Sequence, residues 1–199
     1  MAKKKKQKAT SICYGCDEEF EGTRQYCTPV CRKTLECKAK GTTKFLNNVI
    51  APLFQRMIRA EDGARPSGMT PVIRDGVLTE VYRRKGQCAC VTCGKVAAWS
   101  SGIGGIHTGH FISSRRASVL LLEENVAPQC SNCNVYSSGA PTEFRQWMES
   151  IRGGVDTIER LQWLKTVSVS YRRDQLVYLW FEYSARLNDA KATMKELER

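Results

Sequence analysis

The sequence predicts an α+β protein assembled from a few small units. Three observations carry that prediction. Eight of the ten cysteines fall into two sets of four with metal-type spacing, apolar residues recur at helical intervals in separate stretches, and an Asp75-Gly76 pair carries a tight-hairpin signature. With 199 residues and 42% hydrophobic content, the chain has room for one ordinary core or a few small ones, and wholesale disorder is excluded. No run of about eighteen apolar residues is present, and the basic start MAKKKKQKAT lacks the apolar segment that a secretory signal needs next. The expectation is a soluble, cytoplasmic protein with no membrane partner. In a reducing compartment paired cysteines point to thiolate ligation and not to disulfides. Cys37 and Cys88 fall outside both sets.

Residues 1–11 read as a flexible basic arm, in which Lys3, Lys4, Lys5, Lys6 and Lys8 either grip a polyphosphate or form a solvated tail. The formal charge of +11 sits mainly in the front of the chain. Residues 1–86 carry 18 Lys and Arg against 9 Asp and Glu, residues 87–149 carry 4 against 4, and residues 150–199 carry 9 against 7. A nucleic acid would be held there, leaving a neutral middle in which a bound cation supplies the positive charge. Residues 12–36 place Cys13 and Cys16 ahead of Cys27 and Cys31 with ten residues between the pairs. That spacing suits a miniature zinc-bound hairpin or ribbon; a redox pair or another metal is the alternative.

Residues 37–71 combine a helical segment and a linker. Phe45, Leu46, Val49, Ile50, Leu53, Phe54, Met57 and Ile58 predict an amphipathic helix over residues 43–60, and Pro52 either kinks it or starts a second helix. Gly63, Pro66, Gly68 and Pro71 mark the linker. Residues 72–152 form a central domain. It ends in a short helix over Phe144, Trp147, Met148 and Ile151 that Gly153 and Gly154 terminate. Residues 153–199 are helical. Leu176, Trp180, Tyr183, Leu187, Ala190, Met194 and Leu197 make a seam at alternating spacings of four and three, which packs either on the protein's own helices or on a second copy as a homodimer.

The central domain holds the chemistry. Cys90 and Cys93 are separated from Cys130 and Cys133 by 36 residues, and the only two histidines, His107 and His110, lie between them. Four thiolates saturate a tetrahedral zinc, so this site is a closed staple and the histidines and Asn134 are left for a second metal. The alternatives are a histidine that replaces a zinc cysteine, or two surface histidines. Asn134 by itself also suits a helix cap.

GHF (residues 109–111), ENVAPQC (124–130) and Cys133-Asn134 resemble the His-Asn-His, or HNH, nuclease motif flanked by zinc-binding pairs. More narrowly, CVTCG, HTGHF, ENVAPQCSNCN and the following SSG resemble the phage Rap (NinG) recombination family. That resemblance implies a ββα-metal core and a metal-dependent endonuclease acting on branched DNA, a Holliday junction resolvase in the host cytoplasm. By position it implies His110 as general base, Asn134 as ligand of a catalytic Mg²⁺ or Mn²⁺, and Asn125 as the residue bracing the loop.

Three positions depart from the pattern. Gly109 stands where many such enzymes have Asp or His, His107 where an acidic ligand is usual, and Ser137 where a lysine is common. His107 is then the second ligand of the catalytic metal, softer than a carboxylate, and Arg115 or Arg116 takes over phosphate neutralisation as part of the DNA-binding surface. A non-catalytic zinc protein that binds nucleic acid and an HNH endonuclease specific for a duplex sequence are the rival readings.

Overall fold

Asp75 and Gly76 both adopt positive φ, 52° and 75°, as a two-residue hairpin turn requires. They join β3 (Gly68–Arg74) to β4 (Val77–Arg83), antiparallel with Arg74 opposite Val77. The structure is a computed structural model that describes residues 10–14, 16, 18–100, 105–112 and 116–196. Lys3, Lys4, Lys5, Lys6 and Lys8, Arg115 and Leu197 lie outside the described residues. The chain divides into two units, Met1–Ile50 with Tyr171–Phe181, and Ala51–Ser170 with Glu182–Arg199.

In the first unit β1 (Thr10–Ile12) pairs antiparallel with β2 (Glu19–Glu21), and α1 (Pro29–Lys40) follows. Thr28 caps α1, its hydroxyl accepting from the Cys31 backbone N–H at 3.2 Å, and Pro29 occupies the first helical position, where a missing N–H costs nothing. Lys33 lies over the Trp180 ring, 4.6 Å from its centre. Cys37 is buried, and burial pushes its thiol up.

Helical structure is continuous from α2 (Thr42–Phe45) through a π-helical stretch (Leu46–Ile50) into α3 (Ala51–Ala64). Pro52 thus falls in the first turn of α3. The wider π turn just before it is where the proline's missing N–H is accommodated. The helix runs on past Gly63 to Ala64, so the expected linker shrinks to the three residues before β3. The reason is tertiary: a Cβ on Gly63 would meet the Trp99 Cβ at 2.8 Å, so this glycine permits a close approach and does not mark a loop.

The second unit adds β5 (Gln87–Ala89) paired with β6 (Val96–Ala98), and β7 (Ile106–His110) paired with β8 (Val126–Cys130), both antiparallel. Between β7 and β8 lie α4 (Ala117–Leu120) and a 3₁₀ turn (Glu123–Asn125); a π-helical turn (Asn132–Tyr136) follows β8. Then come α5 (Pro141–Ile151), α6 (Gly154–Thr166) and α7 (Arg173–Lys195), the last shared with the first unit. Gly153 and Gly154, at φ 98° and 72°, end α5 as expected. The apolar core joins Ile73, Val91, Val119, Phe144, Met148 and Leu161. α3 packs across β5, β7 and β8, which brings its polar positions to the histidine strand.

The seam on α7 is closed by the chain itself. Leu176, Tyr183, Leu187 and Ala190 are buried in the single chain, and the Tyr183 ring lies 5.3 Å from Phe54. These four positions of the seam pack within the chain itself, while Trp180 and Met194 are half-buried. Arg186 on the same helix makes a two-pronged ion pair with Glu61 at 2.8 and 2.9 Å and a third hydrogen bond to Glu123 at 2.6 Å. No helix among the described residues is long and apolar enough to cross a membrane.

Candidate functional site

The two cysteine sets each gather into a cluster whose four sulfurs lie within 4.8 Å of one another. A tetrahedral ion with Zn–S bonds of about 2.3 Å holds its sulfurs about 3.8 Å apart. The Sγ pairs Cys16–Cys27 and Cys93–Cys130 are both 3.7 Å apart and Cys27–Cys31 is 3.4 Å, close to that edge and far beyond the ~2.05 Å of a disulfide. Both clusters could hold structural zinc.

Burial opposes ionisation of Cys130, but the Cys133 backbone N–H and the neighbouring thiols hold it below the usual cysteine value. Burial leads in pushing Cys133 up to about 11 and in raising Cys93. One thiolate makes the next ones costly, a repulsion that a divalent cation removes.

β7 and β8 carry the central staple into a cleft. In the ladder Ile106 faces Cys130, His107 faces Gln129 and His110 faces Val126, so fixing Cys130 and Cys133 fixes both the histidine strand and the turn bearing Asn134. The cleft has a volume of about 460 Å³, and His107, His110, Asn134, Arg59, Ser138 and Gly139 help to line it. No carboxylate lines it among the described residues.

The His110 Nε2 lies 3.1 Å from the Leu120 carbonyl oxygen. A carbonyl only accepts, so Nε2 carries the proton and Nδ1 keeps its lone pair. Burial lowers the His110 pKa against the opposing effect of that carbonyl, leaving a neutral imidazole at neutral pH.

The Asn134 amide lies 3.4 Å from His107 Nδ1. With the amide turned so that its oxygen takes the nitrogen's place, the two donor atoms span what two ligands at about 2.1 Å subtend on one ion at a tetrahedral angle. His107 and Asn134 could therefore hold a cation between them.

The family model described as Bacteriophage Lambda NinG protein matches residues 77–196, which include the central cysteine cluster, both histidines, Asn125 and Asn134. The chain belongs to the NinG family. Comparisons with curated proteins and with solved structures gave no match. The first cysteine cluster lies N-terminal to the NinG match.

Within this NinG chain Asn125 is fully buried and does not line the cleft. Its Oδ1 accepts from the Ile112 N–H at 2.7 Å, and its Nδ2 donates to the carbonyls of Ile112 and Val119 at 3.0 and 2.9 Å. It fixes the loop whose next carbonyl, Leu120, holds His110. Asn125 thus braces this loop from inside the fold and presents no atom to the cleft. Arg116 is exposed, immediately precedes α4 and does not line the cleft, while Arg115 is outside the described residues.

The cation in the cleft is Arg59 of α3, which sequence reasoning missed. Its Nη1 donates to Thr108 Oγ1 at 3.1 Å and its Nε to the Trp99 carbonyl at 3.3 Å, while Thr108 in turn donates to the Gln55 carbonyl at 2.8 Å. Burial lowers its pKa, and among the described residues its guanidinium forms no ion pair with a carboxylate. A half-buried cation without an acidic neighbour suits an anion. The sequence signal was an arginine set directly between Ile58 and Ala60 of an otherwise amphipathic helix. The buried Cys88 donates its thiol to the Arg59 carbonyl at 3.3 Å, which accounts for a cysteine that joins neither cluster.

Gln129 was also missed. It is fully buried, and its Nε2 donates to the Gly139 carbonyl at 2.7 Å and to Thr92 Oγ1 at 3.3 Å. A Cβ on Gly109 would lie 1.9 Å from its Oε1, so Gly109, the departure directly before His110, is required by the side chain lying over it. The signal was a lone polar residue in the buried strand VAPQC.

Proposed function

We propose that the cleft hydrolyses a DNA phosphodiester, and that its substrate is branched DNA of the Holliday-junction type formed in phage recombination. One observation carries the reading: a neutral imidazole, His110, is fixed by its Nε2 and keeps the Nδ1 lone pair, in a cleft it shares with the His107–Asn134 pair and with Arg59, which has no carboxylate partner among the described residues. The order of motifs resembling HNH nucleases and membership of the NinG family support it.

In this reading His110 Nδ1 takes the proton from the attacking water. Arg59, held by Thr108 and the Trp99 carbonyl, offers its remaining N–H groups to the phosphate oxygens and offsets the charge that builds on them. His107 and Asn134 would hold the divalent cation, which when bound supplies charge stabilisation at the scissile phosphate. An imidazole and an amide without a carboxylate suit Mn²⁺ better than Mg²⁺. Asn125 keeps the Leu120 carbonyl where His110 needs it. The two cysteine clusters hold shape and take no part in proton transfer.

The test is a nicking assay on a four-way junction and on a linear duplex of matched sequence, with Mg²⁺, Mn²⁺ or EDTA. Metal-dependent nicking of the junction is expected, with Mn²⁺ ahead of Mg²⁺. Binding without nicking under every metal condition would leave a non-catalytic zinc protein, and equal nicking of the linear duplex would leave a duplex-specific HNH enzyme.

A further inference from the structure

We propose that Tyr136 stacks on an unpaired nucleobase of the DNA strand held in the cleft, so that an opened base next to the phosphate is recognised by its aromatic face. The inference rests on the reading of the cleft as a DNA site. Tyr136 is 82% exposed, more than any other large apolar side chain among the described residues, and its neighbour Val135 is 56% exposed. Folding gains little from a ring left in water.

The turn that carries it is nevertheless tightly held. The Ser137 N–H donates to the Asn132 carbonyl at 2.9 Å, the Gly139 N–H to the Cys133 carbonyl at 2.8 Å, and Gln129 to the Gly139 carbonyl at 2.7 Å, with Cys133 itself in the central cysteine cluster. A rigidly mounted aromatic loses little freedom when a partner docks on it.

Its place in the chain selects the partner. Asn134 and Ser138, two residues to either side, both line the cleft. Consecutive Cα atoms are about 3.8 Å apart, so the Tyr136 Cα lies within about 7.6 Å of theirs. Each nucleotide of a strand advances about 3.4 Å along the duplex axis, so a ring mounted this close meets a base within one or two nucleotides of a phosphate held at Asn134. Inside a duplex that base is stacked on both faces and offers nothing to an added ring. At a branch or a bulge it does, and because every base has a π-face the preference is for structure and not for sequence.

Binding of the zinc-loaded full chain to a four-way DNA junction and to a matched linear duplex, read by fluorescence anisotropy without added divalent cation at one fixed salt concentration, tests this. Tyr136→Ala is expected to weaken junction binding about tenfold and duplex binding less than about twofold, while Tyr136→Phe leaves both unchanged. An abasic residue at the contacted branch position reproduces the loss in the wild type and removes any further effect of Tyr136→Ala. Equal weakening on both probes, no weakening, or no wild-type binding to either overturns the proposal. Cleavage is not part of this readout, so the two readings fail separately. A wild type that nicks no DNA yet keeps the Tyr136-dependent preference overturns only the nuclease reading, and a junction-nicking enzyme indifferent to Tyr136 overturns only this one.

Discussion

Cys13, Cys16, Cys27 and Cys31 belong to a two-stranded hairpin and the start of α1, with Cys16 exposed and Cys27 and Cys31 half-buried. In the central cluster Cys90, Cys130 and Cys133 are buried and Cys93 is half-buried, among Ile106, Cys88 and Ala140. The same four thiols therefore do different physical work. Among the described residues from 10 to 36 only Cys13 is buried, so the first cluster has no apolar core around it and its ion would be the folding energy of the element. The central cluster lies inside a packed core, and its ion would fix the relation between two chain segments that both reach the cleft. Ligand type indicates a metal; the surroundings of the ligands indicate what losing it costs.

The sharpest way to break this comparison is to remove one ligand from each cluster. Cys133→Ser is expected to lose one zinc and all nicking above background, because the turn bearing Asn134 is released. Cys27→Ser is expected to lose the other zinc and the fold of the hairpin while nicking persists. Zinc quantification beside the junction assay reads both, and equal loss of nicking in the two variants would erase the distinction.

Next in size is His110→Ala, expected to lower the nicking rate by about 10²–10⁴-fold with both zincs retained. In the wild type the rate is expected to rise with pH through a value below the 6.5 of an ordinary histidine and to be flat above it, since burial disfavours the imidazolium. The sign for stability is the same. The unfolded chain binds the proton more tightly, so stability present above pH 6.5 falls as the pH drops towards the lowered folded value, a trend that urea melts at several pH values would follow.

Arg59→Ala is expected to lower nicking by about 10–100-fold, the cost of losing hydrogen bonds to a charged phosphate at roughly 1.5–3 kcal/mol. Arg59→Lys should recover only part of it, because an ammonium cannot keep the guanidinium's bonds to Thr108 and Trp99 while reaching an anion. Full activity in Arg59→Ala would remove this residue from the site. The smallest effect is on stability: Gly109→Ala is expected to cost about 1–3 kcal/mol in a denaturant titration, because Gln129 must leave its place.

What could be read from the sequence was what is local in the chain. The Asp75-Gly76 turn, the Gly153-Gly154 stop and the two cysteine sets are spacings of a few residues with one physical solution each, and they form as read. Pro52 left two local solutions open, and the chain takes a π-helical widening ahead of it. Gly63 misled because its reason is Trp99, thirty-six positions away.

Within the site, His107, His110 and Asn134 share one cleft, which their order suggested. Arg59 did not announce itself because the Thr108 that orients it is 49 residues distant. Periodicity reports which face of an element is apolar and is silent about which polar residue on another element it will meet. For the same reason the seam on α7 read as an inner or an outer contact, and it is the fold that buries Leu176, Tyr183, Leu187 and Ala190 within the chain.

Gln129 touches the turn between Cys90 and Cys93 through Thr92, the rim of the cleft through Gly139, and the histidine strand at Gly109. Positions 109 and 129 consequently share one fixed volume, and neither can grow unless the other shrinks. Among chains of this architecture the two should change as a pair, with any side chain at the residue before His110 matched by a shorter one across the ladder. In this chain the double variant Gly109→Ala, Gln129→Ala should be destabilised by less than the sum of the two single effects.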